Sequence, residues 1–256
     1  MRVAILSWPL LAAGPLAAQT PPAPPTPAPA VWTVGGELAL TELSGNKSLT
    51  LFTSGLTLKR VAPDGATADA LVAMRYGTSN GAVATENYRA ELGARLAPQG
   101  RVSPALRLTA ARDPQKSLDL RLAISAGLTV ALAANGPEEL QLGIALLQDR
   151  EYRSLPAGSD LAERVSFTRF DLRFRGRIPV REAVTVEHLT VMQPVAGDLQ
   201  DYLLTSRSAL QVFLTRQLAL QTSYLVERDA TPLPSVPFKD DRTLTLGILL
   251  RFTSGG

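Results

Sequence analysis

One histidine and no cysteine limit the chemistry that this chain can perform. The histidine lies in the sequence His188-Leu189-Thr190. Hydrolases of the serine type need a hydroxyl that a histidine deprotonates while a further polar side chain orients the ring. No Ser-Asn-Gly sequence adjoins His188. We therefore expect no enzymatic activity and assign no catalytic residues.

Metal and cofactor sites have equally little support in the sequence. A structural zinc site needs a cluster of cysteine or histidine ligands, and the acidic residues are scattered along the chain. Asp240-Asp241 could bind a divalent cation, but a solvated turn explains the pair better. Ser44-Gly45-Asn46 has the composition of a hairpin turn rather than of a phosphate-binding loop. We predict no metal and no cofactor.

The strongest chemical signal is a file of charged side chains at alternate positions. Between Arg169 and Arg177 every second residue is charged, and Phe170, Leu172 and Phe174 lie between them. Side chains of a strand point alternately to opposite faces, so the charges share one face. The same parity places on this face Glu37, Asp69, Arg75, Arg89, Glu91, Arg95, Arg107, Asp119, Arg121, Arg169, Asp171, Arg173, Arg175, Arg177, Arg207, Glu227 and Arg251.

The stretch from Leu118 to Leu132 shows which element presents such a face. Its even-numbered residues are all apolar, and the residues between them are polar or small. The alternation extends beyond the usual strand of about 5–6 residues and exceeds the roughly 9–11 tilted residues that span a bilayer. We find twelve such strand candidates between Trp32 and Phe252. The sequence predicts an all-β chain that forms a closed antiparallel up-and-down transmembrane barrel.

Two of the twelve candidates are irregular, and the connections between them differ in length. The alternation slips between Leu51 and Leu56, which suggests a β-bulge, and the strand from Ala183 to Gln193 has no clear parity. The connections Asp149 to Glu163 and Arg228 to Asp241 are long. Those at Pro179-Val180 and Thr215-Arg216 are short. Long loops at one end and short turns at the other are typical of outer-membrane barrels.

The composition of the charged face indicates that it encloses water. Arginine greatly outnumbers lysine in the chain, whereas the outer surface of a soluble β-protein is usually enriched in lysine and glutamate. We therefore expect the leucine-rich files to contact lipid and the charges to face the lumen. Two hypotheses follow. A network of salt bridges fills and stiffens the barrel, which we favour, or an excess of arginine forms an anion-selective pore.

The N-terminal region has the organisation of an exported protein. Residues 1–18 combine a basic start, an apolar core and a small-residue end, as in a secretory signal peptide. Residues 19–30 are proline-rich and predict a stiff periplasmic linker. Residues 31–256 then form the predicted barrel. The formal net charge of +3 gives no case for a nucleic-acid partner.

Several short motifs resemble a family of outer-membrane proteins described as salt-induced and of unknown function. They are Trp32, Gly36 and Leu38 leading into Ser44-Gly45-Asn46, Asn87-Tyr88-Arg89, Asp201-Tyr202, and Pro237, Lys239 and Asp240 before the segment Gly247 to Phe252. The resemblance implies an outer-membrane barrel without an established substrate. It also implies that Phe252 serves as the aromatic signal that the barrel assembly machinery reads.

These observations lead to one interpretation and one alternative. We expect a protein of the Gram-negative cell outer membrane that contacts outer-membrane lipid and acts as a structural barrel or small pore. The resemblance implies a link to salt or envelope stress. The alternative is a secreted soluble β-barrel or sandwich that binds a hydrophobic ligand. The sequence leaves the oligomeric state and any transported solute open.

Overall fold

The computed structural model describes residues 30–43, 49–97, 100–133, 139–234, 236 and 239–254. Within these residues twelve strands form one closed antiparallel barrel. The strands are β1 (Val31–Leu43), β2 (Leu49–Val61), β3 (Thr67–Ser79), β4 (Ala82–Arg95), β5 (Val102–Asp113), β6 (Leu118–Ala133), β7 (Glu139–Arg153), β8 (Arg164–Arg181), β9 (Val184–Val195), β10 (Asp198–Phe213), β11 (Leu218–Asp229) and β12 (Asp240–Ser254). The predicted fold class is confirmed.

The first and last strands close the barrel. β1 pairs with β12 in continuous register from Trp32 opposite Ser254 to Ala39 opposite Gly247. Every other strand pairs with its two neighbours in the sequence. Closure leaves no strand edge whose backbone N–H and C=O groups would lack partners.

The two faces of the barrel differ as the alternation predicts. Leucine, isoleucine and valine side chains such as Leu38, Leu92, Ile144 and Leu246 are exposed on the outside. The interleaved positions, including Glu91, point inward and are shielded by the wall and by one another. The apolar side chains therefore do not form a dry core inside the barrel.

The barrel has two ends that we name by their connections. The loop end carries the connections of β7 to β8 (154–163) and of β11 to β12 (230–239), and the turn end carries those of β8 to β9 (182–183) and of β10 to β11 (214–217). The two predicted long connections are thus present with different boundaries, whereas 80–81 and 196–197 at the same end contain two residues each. Pro179 and Val180 lie within β8, not at a turn, and β7 continues to Arg153. The proline is tolerated because the β8–β9 register shifts beside it.

The predicted bulge in β2 is wrong. β2 pairs with both neighbours without a register shift, so Leu51 faces the interior beside polar residues. Irregularities lie elsewhere, notably in β6 between Leu118 and Leu120 and between Ala131 and Ala133. The register also assigns the parity of β9, where Glu187 and Val191 share a face with Arg177 and Arg173 of β8.

The predicted signal peptide, nearly all of the linker, and the turn at Ser44-Gly45-Asn46 lie outside the described residues. A short 3₁₀ helix, Pro114–Lys116, links β5 to β6. In the ranges given above, no helix is long and apolar enough to cross a membrane.

Candidate functional site

Ion pairs between distant strands show which residues point inward. Arg75 of β3 contacts Glu227 of β11 at 2.5 Å, and Arg207 of β10 contacts Glu37 of β1 at 2.6 Å. Neither pair joins neighbouring strands, so the side chains meet only by reaching across the barrel. The charged file therefore lines the interior.

One wall of the interior holds a buried network of charges on β6 to β9. We define the buried network as Arg121, Asp149, Arg169, Asp171, Arg173 and Gln193. Asp149, which is 0% exposed, accepts a hydrogen bond from Arg121 Nε at 3.0 Å and lies 3.3 Å from Arg169 Nε. Arg173 Nε donates to Asp171 at 3.0 Å. Gln193 links the two halves, since its side chain accepts from Arg121 at 3.2 Å and donates to Asp171 at 3.4 Å.

The charged groups of the buried network make many contacts because they are shielded from water. A buried carboxylate loses hydration, and only paired cations and hydrogen bonds offset that loss. Arg169 meets this demand on several sides. Its guanidinium donates to the backbone oxygen of Gln193 at 3.2 Å and lies 4.5 Å from the ring centroid of Phe167. The network thus tightly binds β6, β7, β8 and β9 to one another.

The wall formed by β3, β4 and β5 carries ion pairs that are partly accessible to water. Glu91 joins Arg89 to Arg107, with 2.9 Å to Arg107 Nη1, and Arg107 lies 3.6 Å from Asp69. The side chains of Arg207 and Asp69 are 41% and 39% exposed although both face inward. Solvent therefore reaches some of the inward-facing charged groups.

Three cations at the turn end have no acidic partner. Lys59, Arg95 and Arg175 have no carboxylate oxygen within 4 Å among the residues that the structure describes. Arg175 and Arg95 are electrostatic neighbours of Lys59, and so are the carboxylates of Glu139 and Asp69. We call these three residues the turn-end cations.

Two further arginines at the turn end share acidic partners. Arg177 and Arg251 lie 3.3 Å and 3.8 Å from Glu187, and Arg177 lies 4.0 Å from Glu139. Cations therefore outnumber carboxylates in this part of the interior. The resulting potential favours anions.

The loop end instead contains a cavity of about 190 Å³ with a mixed lining. Asn87, Asp113, Lys116, Glu227 and Asp241 contribute to it. Burial by itself lowers the pKa of Lys116, but the carboxylates of Glu227, Asp241 and Asp113 outweigh it and raise the pKa above its usual value. Lys116 therefore stays protonated at physiological pH beside these carboxylates.

The structure brings most of the predicted site residues together. On the interior face are Arg89, Glu91, Arg95, Arg121, Arg169, Asp171, Arg173, Arg175, Arg177, Arg207, Glu227 and Arg251. Asp119 differs from the expectation. The irregularity in β6 makes Asp119 the extra residue, so it is exposed, while Leu118 turns inward to line the loop-end cavity.

The sequence interpretation missed several interior charges, and for three of them the reason is identifiable. Asp149 was placed in a loop because the predicted end of β7 came too early. Glu187 was missed because β9 has no clear parity, and Lys59 because of the supposed bulge in β2. Consistent alternation to the true strand ends would have found Asp149 and Lys59.

Phe252 and His188 both lie on the outer face. Phe252 is exposed in β12 and opposite Val34 of β1, and the role of Phe252 as an assembly signal remains a prediction. His188 Nδ1 and Nε2 are 2.9 Å and 2.8 Å from the hydroxyls of Ser208 and Thr190. The register directs these side chains away from the charged interior.

Within the described part of the chain no group of three or more histidine, cysteine or acidic side chains is placed to hold a metal ion. The ion-paired carboxylates inside the barrel are each occupied by arginine or lysine instead.

A closed twelve-stranded antiparallel barrel with an apolar outside and a charged inside is the fold of outer-membrane β-barrels. The chain belongs to the family described as protein of unknown function, DUF481, which matches residues 36–252. A comparison with curated protein sequences gave no match.

Solved structures with the same fold include the NanC porin, with a TM-score of 0.51 and 12% identity over 86% of this chain and 98% of that one. The translocator domain of the autotransporter NalP from Neisseria meningitidis aligns with a TM-score of 0.42 and 13% identity, over 87% of this chain and 88% of that one. The outer membrane protein Omp33 of Acinetobacter baumannii gives 0.39 and 13%, over 87% and 97%. At these identities the likeness concerns the fold alone.

Proposed function

We propose that this protein is a narrow outer-membrane pore that favours small anions. The observation that carries the proposal is the accessibility of inward-facing charges such as Arg207 and Asp69, together with the turn-end cations. A barrel whose interior were packed would bury such groups on every side. Charged groups around a water-filled passage set ion preference, and unpaired cations favour anions.

The outer face supports placement in the membrane. Its exposed leucines, isoleucines and valines are costly in water and favourable against acyl chains. The alternative of a secreted soluble barrel that encloses a hydrophobic ligand receives no support from an interior lined by arginine and carboxylate pairs. In the proposed orientation the loop end faces the exterior and the turn end faces the periplasm.

Labelling of single cysteines on intact cells tests this orientation. We expect Ser159→Cys, in the connection between β7 and β8, to react with an impermeant maleimide. The periplasmic position is Glu182→Cys, in the turn between β8 and β9. Val180 is not used for this purpose because it lies within β8. Glu182→Cys should react only after the cells are opened. Reaction of Glu182→Cys alone on intact cells would contradict the orientation.

Planar-bilayer recordings of the purified barrel test the pore. We expect discrete conductance events and a reversal potential that shows preference for chloride over potassium. Absence of discrete events, or preference for cations, would remove the proposal. Heat-modifiable migration on gels, which folded outer-membrane barrels typically show, establishes beforehand that the sample is folded.

A structural barrel is the second candidate, and the buried network is the observation that favours it. Ion pairs on four adjacent strands stiffen the wall whether or not solutes pass. The role in salt or envelope stress that the family resemblance implies belongs to this candidate. A deletion strain that loses resistance to high salt, and regains it with a variant lacking conductance, would favour the structural role.

A further inference from the structure

A groove crosses the outer face of the barrel over β4 to β7. Its volume is about 480 Å³. Eight outward side chains line it, namely Ala90, Leu92, Leu108, Ala110, Leu122, Ile124, Gln148 and Arg150. These side chains point outward, so the groove is separate from the interior of the proposed pore.

Strand register places these residues in two parallel rows. In one row Ala90 lies opposite Ala110, Ala110 opposite Leu122, and Leu122 opposite Arg150. The other row consists in the same way of Leu92, Leu108, Ile124 and Gln148. Small alanines beside leucines and isoleucine create a depression that runs across four strands. Three interstrand spacings of about 4.8 Å give it a length of roughly 14 Å.

The groove is apolar along most of its length and polar at one end. Leu92 and Ala90 begin it on β4. Gln148 and Arg150 end it on β7, five and three residues before Arg153 at the loop end of that strand. Arg150 is exposed and has no carboxylate within 4 Å among the described residues. Ser166 of β8 lies opposite Arg150, and Thr168 donates to Gln148 at 2.8 Å.

We propose that this groove binds a membrane lipid with a phosphate headgroup, the acyl chain lying between the two rows and the phosphate contacting Arg150. A guanidinium with free donors matches phosphate, and the hydroxyl of Ser166 adds a further donor. The inference shares the membrane placement proposed above and is independent of conduction through the interior. It assigns a function to an outward arginine that is otherwise unpaired.

Native mass spectrometry of the detergent-solubilised barrel tests the site. We expect phosphatidic acid to be retained in preference to diacylglycerol of the same chains, and free glycerol phosphate not to be retained. Arg150→Gln should weaken phosphatidic acid binding about tenfold, which corresponds to about 1.4 kcal/mol, because it removes a charge-assisted hydrogen bond to the phosphate. Arg150→Lys should retain part of the affinity.

Two further variants separate this groove from general adhesion to lipid. Ala110→Phe fills the depression and should weaken binding while Arg150 is intact. Arg242→Gln is the matched control, because Arg242 is also outward and exposed near the loop end, without an acidic partner within 4 Å in the described chain, but does not line the groove. Equal retention by the wild type, Arg150→Gln and Ala110→Phe would overturn the proposal. Equal retention of diacylglycerol, or retention of glycerol phosphate alone, would also overturn it.

Discussion

The buried network and the turn-end cations use the same residue types for different purposes. In the buried network, Arg121 and Arg169 surround an Asp149 that has no contact with solvent. Among the turn-end cations, Arg95 and Arg175 have no acid within 4 Å in the described chain. In the buried network the arginines complete a set of contacts. Among the turn-end cations the arginines leave a charge available to a permeating solute.

The difference follows from what each arginine faces. On β6 to β9 the facing positions supply carboxylates and an amide, so the charges are neutralised in pairs and the wall becomes rigid. At the turn end, positions facing the cations carry few acids, and accessible space remains. Stability and selectivity are thus encoded in separate parts of one interior, and substitutions can separate them.

Asp149→Asn should give the largest effect. It removes the anion that Arg121 and Arg169 share and leaves them only the longer carboxylate contacts, to Glu151 at 4.0 Å and to Asp201 at 3.6 Å. Removal of one partner of a buried pair costs about 3–5 kcal/mol. We expect an unfolding free energy lower by about that amount, measured by urea unfolding in detergent with circular dichroism.

Asp160→Asn is the matched control for this loss of charge. Asp160 is exposed in the connection between β7 and β8 and has no ion pair within the described residues. The Asp160→Asn variant should have the same unfolding free energy as the wild type. If Asp149→Asn unfolded at the wild-type urea concentration, the buried network would not stabilise the barrel.

Glu91→Gln should give an intermediate effect on both properties. Glu91 is buried yet contacts Arg89 and Arg107 on the accessible wall. Loss of charged hydrogen bonds costs about 1.5–3 kcal/mol, and the two released guanidiniums should increase anion preference in bilayer recordings. Glu86→Gln on the same strand is the control, because Glu86 pairs with Arg112 on the outer face. An anion preference unchanged in Glu91→Gln would show that permeating ions do not sense this part of the interior.

Replacement of Lys59, Arg95 and Arg175 by glutamine together should change selectivity without a large change in stability. Unit charges about 4 Å apart interact by about 1 kcal/mol in water, so we expect the preference for chloride to fall about fivefold. High salt should diminish the difference because it screens exposed charges. Arg60→Gln is the control, since Arg60 follows Lys59 but points outward beside Trp32. A reversal potential that stays at the wild-type value would refute the role of the turn-end cations.

The sequence predicted most members of both regions and missed one charge in each, Lys59 among the turn-end cations and Asp149 in the buried network. Alternation alone identified twelve strands and assigned Arg95, Arg175 and Arg207 to the interior. It did not reveal that Asp149 joins Arg169, because that contact depends on where β7 ends and on the register with β8. Alternation also mispositioned Asp119, since an extra residue in one strand leaves no mark in the pattern of apolar residues. Pairing across the lumen, as between Arg75 and Glu227, depends on closure of the whole barrel and is absent from any single strand.

His188→Leu should give the smallest effect and supplies the baseline for the other variants. His188 lies on the outer face, where its ring contacts Ser208 and Thr190 through hydrogen bonds that contribute about 0.5–1.5 kcal/mol each. The leucine gains favourable contact with lipid, which offsets most of that loss. We expect unfolding free energy within about 1 kcal/mol of the wild type and unchanged chloride preference. Thr222→Leu provides a reference for the gain in apolar contact. Thr222 lies on the same outer face, and its side chain has no hydrogen-bond partner in the described chain. A shift of ion preference in His188→Leu would mean that His188 faces the conducting space, and the division between inner and outer faces on which both regions depend would be incorrect.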